Sequence, residues 1–268
     1  MTWESDLRSA LDQNDVDAIQ ALLAKPQVKK EFDKTKRNIT VVGLLNRAIK
    51  RNCSAEVFEL LVERTANLNG LDNSGVGAIH TAVLSKSLAK IRFLLNRGAE
   101  VELRTPEGET VLHLAAKRKD VAEILRALIA HGAKVSLKNG IGRLPIHEAA
   151  EFGHPTNVLI LIKAGAYLNS VAVDKKRDNF VTPLHLAVRF RHPETTKVLL
   201  QYGANPNEEG RYEKYHGSVF DFAKQMFQMP EHKDSVGEIV AILGHWRRNL
   251  KQIRLKYDVG PERRSRSQ

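Results

Sequence analysis

Along most of the chain, apolar residues come in a two-beat pattern. A short apolar run is followed by a polar break, then by a longer run that ends in glycine. The longer runs carry apolar pairs, Leu60-Leu61, Leu94-Leu95, Leu161-Ile162 and Leu199-Leu200, each suited to one side of a helix. Each beat therefore predicts a helix, and each pair of beats a helix-turn-helix unit. A further unit is predicted around Leu7 to Leu23 from its helical pattern alone. At the other end, Ile239, Leu243, Trp246, Leu250, Ile253 and Tyr257 step by 4, 3, 4, 3 and 4, which puts all six on one stripe of a long terminal helix. The longest apolar runs, such as Val158 to Ile162, are far shorter than the roughly twenty residues that span a bilayer.

The beats are in register. Gly77-Ala-Ile-His-Thr-Ala82, Thr110-Val-Leu-His-Leu-Ala115, Leu144-Pro-Ile-His-Glu-Ala149 and Thr182-Pro-Leu-His-Leu-Ala187 place His80, His113, His147 and His185 at spacings of 33, 34 and 38. Gly98-Ala, Gly132-Ala, Gly165-Ala and Gly203-Ala follow their histidines at offsets of 18, 19, 18 and 18. Extending the frame puts Asn46 and Asp221 in the histidine slot of two degenerate units. This pattern resembles the ankyrin repeat family, whose unit is about 33 residues and carries Thr-Pro-Leu-His-x-Ala. The resemblance covers residues 5 to 245, in six or seven units of roughly 5–38, 39–71, 72–105, 106–139, 140–177, 178–213 and 214–245. It implies an all-α ankyrin-repeat solenoid of helix-turn-helix units with hairpin-like loops, followed by a basic C-terminal helix extension and tail over 246–268.

The residues account for the unit physically. A threonine or its substitute caps the first helix, and proline at the first turn brings a pre-set φ and no orphan donor. The second helix also opens with proline at Pro155 and Pro193. Glycine then ends it in the left-handed conformation that costs glycine nothing. No unit buries its apolar face alone, so neighbours must stack. The connection from glycine to the next motif has one length in two consecutive steps, Gly98 to Thr110 and Gly132 to Leu144. It is longer by five from Gly165 to Thr182 and by three from Gly203 to Ser218. The first longer loop holds Val171 to Arg177, and the second is rich in Tyr, Glu and Lys. Such extensions mark either contact sites or drift in a tolerant loop.

Little here points to catalysis. Histidines on successive stacked helices about 8–10 Å apart cannot share an ion that needs ligands at about 2 Å, so they are expected to orient turns by hydrogen bonding. His147-Glu148-Ala-Ala-Glu151 lacks the second histidine of a zinc-protease motif. Gly140-Ile-Gly142 and Gly75-Val-Gly77 lack the third glycine of a dinucleotide loop. Cys53 is the only cysteine, which excludes an internal disulfide and suits a reducing compartment. No catalytic residue, metal or cofactor is expected. The N-terminus has no basic stretch leading into an apolar one, so no signal peptide is expected, and residence in cytoplasm or nucleus is.

Charge is what distinguishes this chain: 42 Lys+Arg against 31 Asp+Glu, a formal +11. In ankyrin-like stacks the ends of the first helices and the loops line a concave side that receives partners. Those ends read Lys50-Arg51, Ser85-Lys86, Lys117-Arg118-Lys119, Glu151-Phe152 and Arg189-Phe190-Arg191, eight of twelve basic and one acidic. Either this is ordinary solvated charge, or the stripe attracts an acidic protein segment, with Phe152 and Phe190 as apolar anchors. On the second reading, reversing Lys117, Arg118, Arg189 and Arg191 together abolishes capture. The stretch from His245 to Gln268 adds eight basic and two acidic side chains. Arg247, Arg248, Lys251 and Arg254 fall mostly off the apolar stripe, so this helix either caps the stack or docks on a partner helix, an anionic surface or nucleic acid. Pro261 to Gln268 is too polar to pack and is expected to be disordered, with Ser265 in a weak basophilic-kinase pattern. The function expected is a non-enzymatic scaffold, adaptor or inhibitor that holds another protein; the alternative is a polyanion binder acting through the C-terminal element.

Overall fold

The computed structural model describes residues 2–33, 39–175, 177–229 and 233–248. The chain forms two compact units, one from residues 1–115 with 120–140, the other from 116–119 with 141 onward.

In the first unit the helices are α1 (Trp3–Gln13), α2 (Val16–Ala24), α3 (Pro26–Phe32), α4 (Ile39–Lys50), α5 (Ala55–Arg64), α6 (Ala78–Leu84), α7 (Leu88–Asn96), α8 (Val111–Ala116, whose last residue passes to the second unit) and α9 (Ala122–Ala130). First helices pack on first helices, α1 on α4 and α4 on α6, and second on second, α2 on α5, α5 on α7 and α7 on α9. The N-terminal unit expected from Leu7 to Leu23 is the pair α1–α2; Leu7, Leu11, Ile19 and Leu23 are all buried. The short α3 that follows has no counterpart in the repeat pattern.

The second unit holds α10 (Pro145–Glu151), α11 (Pro155–Lys163), α12 (Pro183–Arg189), α13 (Pro193–Gln201), α14 (Val219–Phe227) and α15 (Lys233–Arg248). The same rule repeats: α10 packs on α12, α12 on α14, α11 on α13 and α13 on α15. Val236, Ile239, Leu243 and Trp246 of α15 are buried, so the apolar stripe is inside as far as Trp246. The helix runs through residues 245 and 246 without a break.

The two longer connections are structured. They form β1 (Ala172–Asp174), β2 (Asn179–Val181), β3 (Glu209–Tyr212) and β4 (Tyr215–Ser218), one antiparallel sheet in that order. Val173, Phe180, Arg211 and His216 stand opposite one another across all four strands, so they share the outer side. The alternate positions Ala172, Asn179, Val181, Tyr212 and Tyr215 are buried on the other side. Hairpins joined across a repeat boundary need more strand than the shorter connections supply, which accounts for the extra length.

The motif histidines build the stacking joints. Nδ1 of His80, His113, His147 and His185 accepts from the backbone N–H of Gly77, Thr110, Leu144 and Thr182, at 3.1, 3.2, 3.2 and 3.4 Å. That fixes the proton on Nε2, which donates into the next loop: His80 to the Leu103 carbonyl at 2.9 Å, His147 to Ser170 at 2.9 Å and His185 to Gly217 at 3.3 Å. The residues in the extended frame divide this work. Asn46 Nδ2 donates to Asp72 Oδ2 and the Val76 carbonyl, at 2.8 and 2.9 Å, the onward half. Asp221 Oδ2 accepts from the Ser218 N–H at 2.9 Å, the capping half.

Gly153 stands at a turn of the second unit with no room for a side chain. Its φ is +68°, and a Cβ there would lie 2.3 Å from the His192 ring. His192 Nε2 in turn donates to the Glu151 carbonyl at 2.7 Å. Gly153→Ala is therefore expected to cost about 2–3 kcal/mol, from the left-handed backbone and the displaced ring together. Urea denaturation at pH 7 measures it, and a loss under about 0.5 kcal/mol would show that the turn relaxes freely.

Candidate partner-binding surface

Lys86 belongs to the first unit, exposed at a left-handed turn (φ +53°) just after α6. The other seven candidates on the repeats belong to the second unit. There the loop 116–119 is held from α11: Asn157 Nδ2 donates to the carbonyls of Ala116 (3.1 Å) and Arg118 (2.7 Å), and His154 Nε2 to that of Lys117 (3.1 Å). Side chains can project from this loop because its backbone is fixed. Arg118 and Lys119 are exposed and Lys117 is half-buried.

Lys117 Nζ lies 3.7 Å from Glu148, a carboxylate only 2% exposed, and Arg143 lies 3.8 Å from it. Arg143 is also paired with Glu151. A buried carboxylate needs such company, since desolvating it alone costs several kcal/mol. The Tyr212 hydroxyl meets Arg143, and its pKa is raised, first by burial and then by the Glu151 charge. Phe152, the C-cap of α10, is 49% exposed.

One repeat further on, Arg189 ends α12. Its guanidinium stands over three rings, Tyr215 at 4.6 Å, Phe190 at 5.5 Å and Tyr212 at 5.8 Å, and its Nη2 meets Glu213 at 2.9 Å. Phe190 is half-buried, edge-on to Tyr212 with centroids 5.8 Å apart. Arg191 is exposed at a left-handed turn (φ +62°). The structure thus joins Lys117, Glu148, Arg143, Glu151 and Tyr212 through polar contacts, and Arg189 stands over the Tyr212 ring at the end of that series. Arg143, Tyr212, Tyr215 and Glu213 were not picked out from the sequence. The composition of the second long loop was the signal for Tyr212, Glu213 and Tyr215, but it gave no pairing, and Arg143 had none.

Of the basic C-terminal element, Arg247 and Arg248 are exposed, and Arg247 lies 5.7 Å over the Phe220 ring. Lys251 and Arg254 lie outside the described residues, as do the tail and Ser265. Among the described residues no helix is long and apolar enough to cross a membrane.

Residues 93–172 match the family described as ankyrin repeats in three copies, and residues 179–211 match a single ankyrin repeat. The chain is an ankyrin-repeat protein. Its repeats are similar to those of tyrosine-protein kinase Shark of Drosophila melanogaster, 36% identical over 131 residues, 48% of this chain and 14% of the kinase. They are similar also to protein phosphatase 1 regulatory subunit 27 of Mus musculus, 33% identical over 97 residues, 36% of this chain and 62% of that subunit. A third relative is neurogenic locus notch homolog protein 1 of Mus musculus, 33% identical over 117 residues, 43% of this chain and 5% of that protein. In each case the match covers less than two thirds of the relative. Ankyrin repeats are in general non-catalytic modules for protein–protein interaction.

Proposed function

We propose that this ankyrin-repeat protein is a non-enzymatic scaffold, adaptor or inhibitor whose second unit receives an acidic segment of another protein. The supporting observation is the charge balance of the surface just described. Lys117, Arg118, Lys119, Arg143, Arg189 and Arg191 stand against Glu148, Glu151 and Glu213, and all three carboxylates already have cationic partners. The surplus is positive, and Phe152 is the exposed apolar contact within it.

Lys117 and Arg189 also serve the fold, through Glu148 and the aromatic rings, so reversing them mixes folding with binding. Arg118, Lys119 and Arg191 are the exposed cations of this surface. Changing these three to Glu in the full chain is expected to weaken binding of a fluorescein-labelled octaglutamate peptide by about tenfold or more, read by anisotropy at low salt. Unchanged affinity would end this reading.

The alternative, a polyanion binder acting through the C-terminus, draws support from Arg247 and Arg248, which face water while the stripe beside them is buried. Truncation after Gly244 would remove buried Trp246 and damage the fold. Truncation after Arg248, with Arg247 and Arg248 changed to Gln, is the better variant. Loss of salt-dependent duplex DNA binding in that variant, with octaglutamate binding intact, would favour this alternative.

A further inference from the structure

We infer that Arg189 is a pre-organised receptor for one carboxylate of the partner, and that Glu213 is its built-in stand-in, displaced when the partner's carboxylate arrives. The inference rests on the acidic-partner reading above and adds to it a specific subsite and a competitor.

The two members of the Arg189–Glu213 pair are held very differently. The Arg189 side chain is 21% exposed and pinned among three aromatic rings. Glu213 is 58% exposed, at the tip of the β3–β4 hairpin. A cation kept in place by aromatic faces loses little further entropy when it binds an anion. An exposed pair of this kind is individually weak, so an external carboxylate can replace the internal one at small cost.

The geometry limits what must move. Glu213 sits in the left-handed conformation (φ +54°), and its N–H donates to Asn179 Oδ1 at 3.0 Å. The hairpin backbone is therefore anchored, and rotating the Glu213 side chain alone uncovers the guanidinium. Arg189 Nε is buried and has no acceptor, whereas Nη2 carries the contact to Glu213. The subsite thus takes its carboxylate end-on, through the terminal nitrogens. Lys214, the next residue of the hairpin tip, with Nζ 5.6 Å from the Tyr215 ring, adds a second positive charge to that hairpin. Glu213 itself shows which chemistry the receptor accepts.

The test compares wild type, Glu213→Gln, Arg189→Gln and the double variant in the full chain, with labelled octaglutamate and octaglutamine as probes. Glu213→Gln is expected to bind octaglutamate about threefold more tightly, since a weak competitor has gone. Arg189→Gln, assayed below the temperature at which its own thermal unfolding begins, is expected to lose affinity, and the double variant to behave like Arg189→Gln, with no gain from the second change. Thermal unfolding of Glu213→Gln should stay within about 2 °C of wild type, which separates a removed competitor from a loosened hairpin. Unchanged or weaker binding by Glu213→Gln, while wild type binds octaglutamate through Arg118, Lys119 and Arg191, overturns this inference and leaves the broader reading standing. Absence of octaglutamate binding by any of these proteins overturns both. Equal binding of octaglutamine overturns the carboxylate chemistry.

Discussion

Replacing His185 with alanine is expected to destabilise the second unit by about 3–5 kcal/mol, more than the loss expected at Gly153. Four losses coincide. The Thr182 hydroxyl donates to Nδ1 at 2.8 Å, within the helix cap. Nε2 donates to the Gly217 carbonyl at 3.3 Å, which ties α12 to the following hairpin. The ring meets Phe222 edge-on with centroids 4.7 Å apart. Gly210 lies so close that a Cβ there would be 2.7 Å from Nε2, so alanine at 185 leaves a hole walled by backbone. The residue is fully buried, so the hole opens inside the joint and not at its surface. Urea denaturation followed by fluorescence of buried Trp246, in a Trp3→Phe background, measures the loss. A cost below about 1 kcal/mol would show the ring to be a filler and not a joint.

Acidification is expected to act through the same residue. Burial pushes the His185 pKa down from 6.5 to about 4, against the backbone hydrogen bonds that favour the proton. Between those two values the unfolded chain binds a proton that the folded chain refuses. Stability therefore rises with pH across this window. The contribution is whole above pH 6.5, shrinks as pH falls and is gone below about pH 4. A depression of this size corresponds to about 3 kcal/mol. Burial lowers the pKa of His80 and His192 too, so both add in the same direction. Urea denaturation at pH 7, 5.5 and 4 should show the fall, and His185→Gln should reduce it to the share of His80 and His192 while starting from a lower value. A stability that does not change over this range would mean that the ring takes up its proton without leaving the joint.

Both predictions turn on a residue that the sequence marks four times over, which shows where sequence reading is strong. The spacing of the motif histidines, the Gly-Ala steps and the paired leucines fixes the unit, because helix and turn requirements are local: a cap, a period and a left-handed glycine. Gly98, Gly132, Gly165 and Gly203 all adopt positive φ, as that logic demands. Asn46 and Asp221, found only by extending the frame, each perform half of the histidine's task. The stripe of α15 was equally plain as far as Trp246.

The candidate site was only half legible. Its cations were visible as a run of charges after each motif. What each charge does depends on a group in a neighbouring repeat or loop, far off along the chain: Glu213 for Arg189, Glu148 for Lys117. Length alone announced that the connections after Gly165 and Gly203 differ, but not that β2 would pair with β3 through Phe180 and Arg211. Local periodicity and turn chemistry act over a few residues and are written into the chain in order. Ion pairing, burial and strand pairing between repeats are fixed only when stacking sets the distances. The sequence by itself therefore determined the repeat, its joints and the sign of its charge. Only the tertiary structure decided which carboxylate and which rings Lys117 and Arg189 meet.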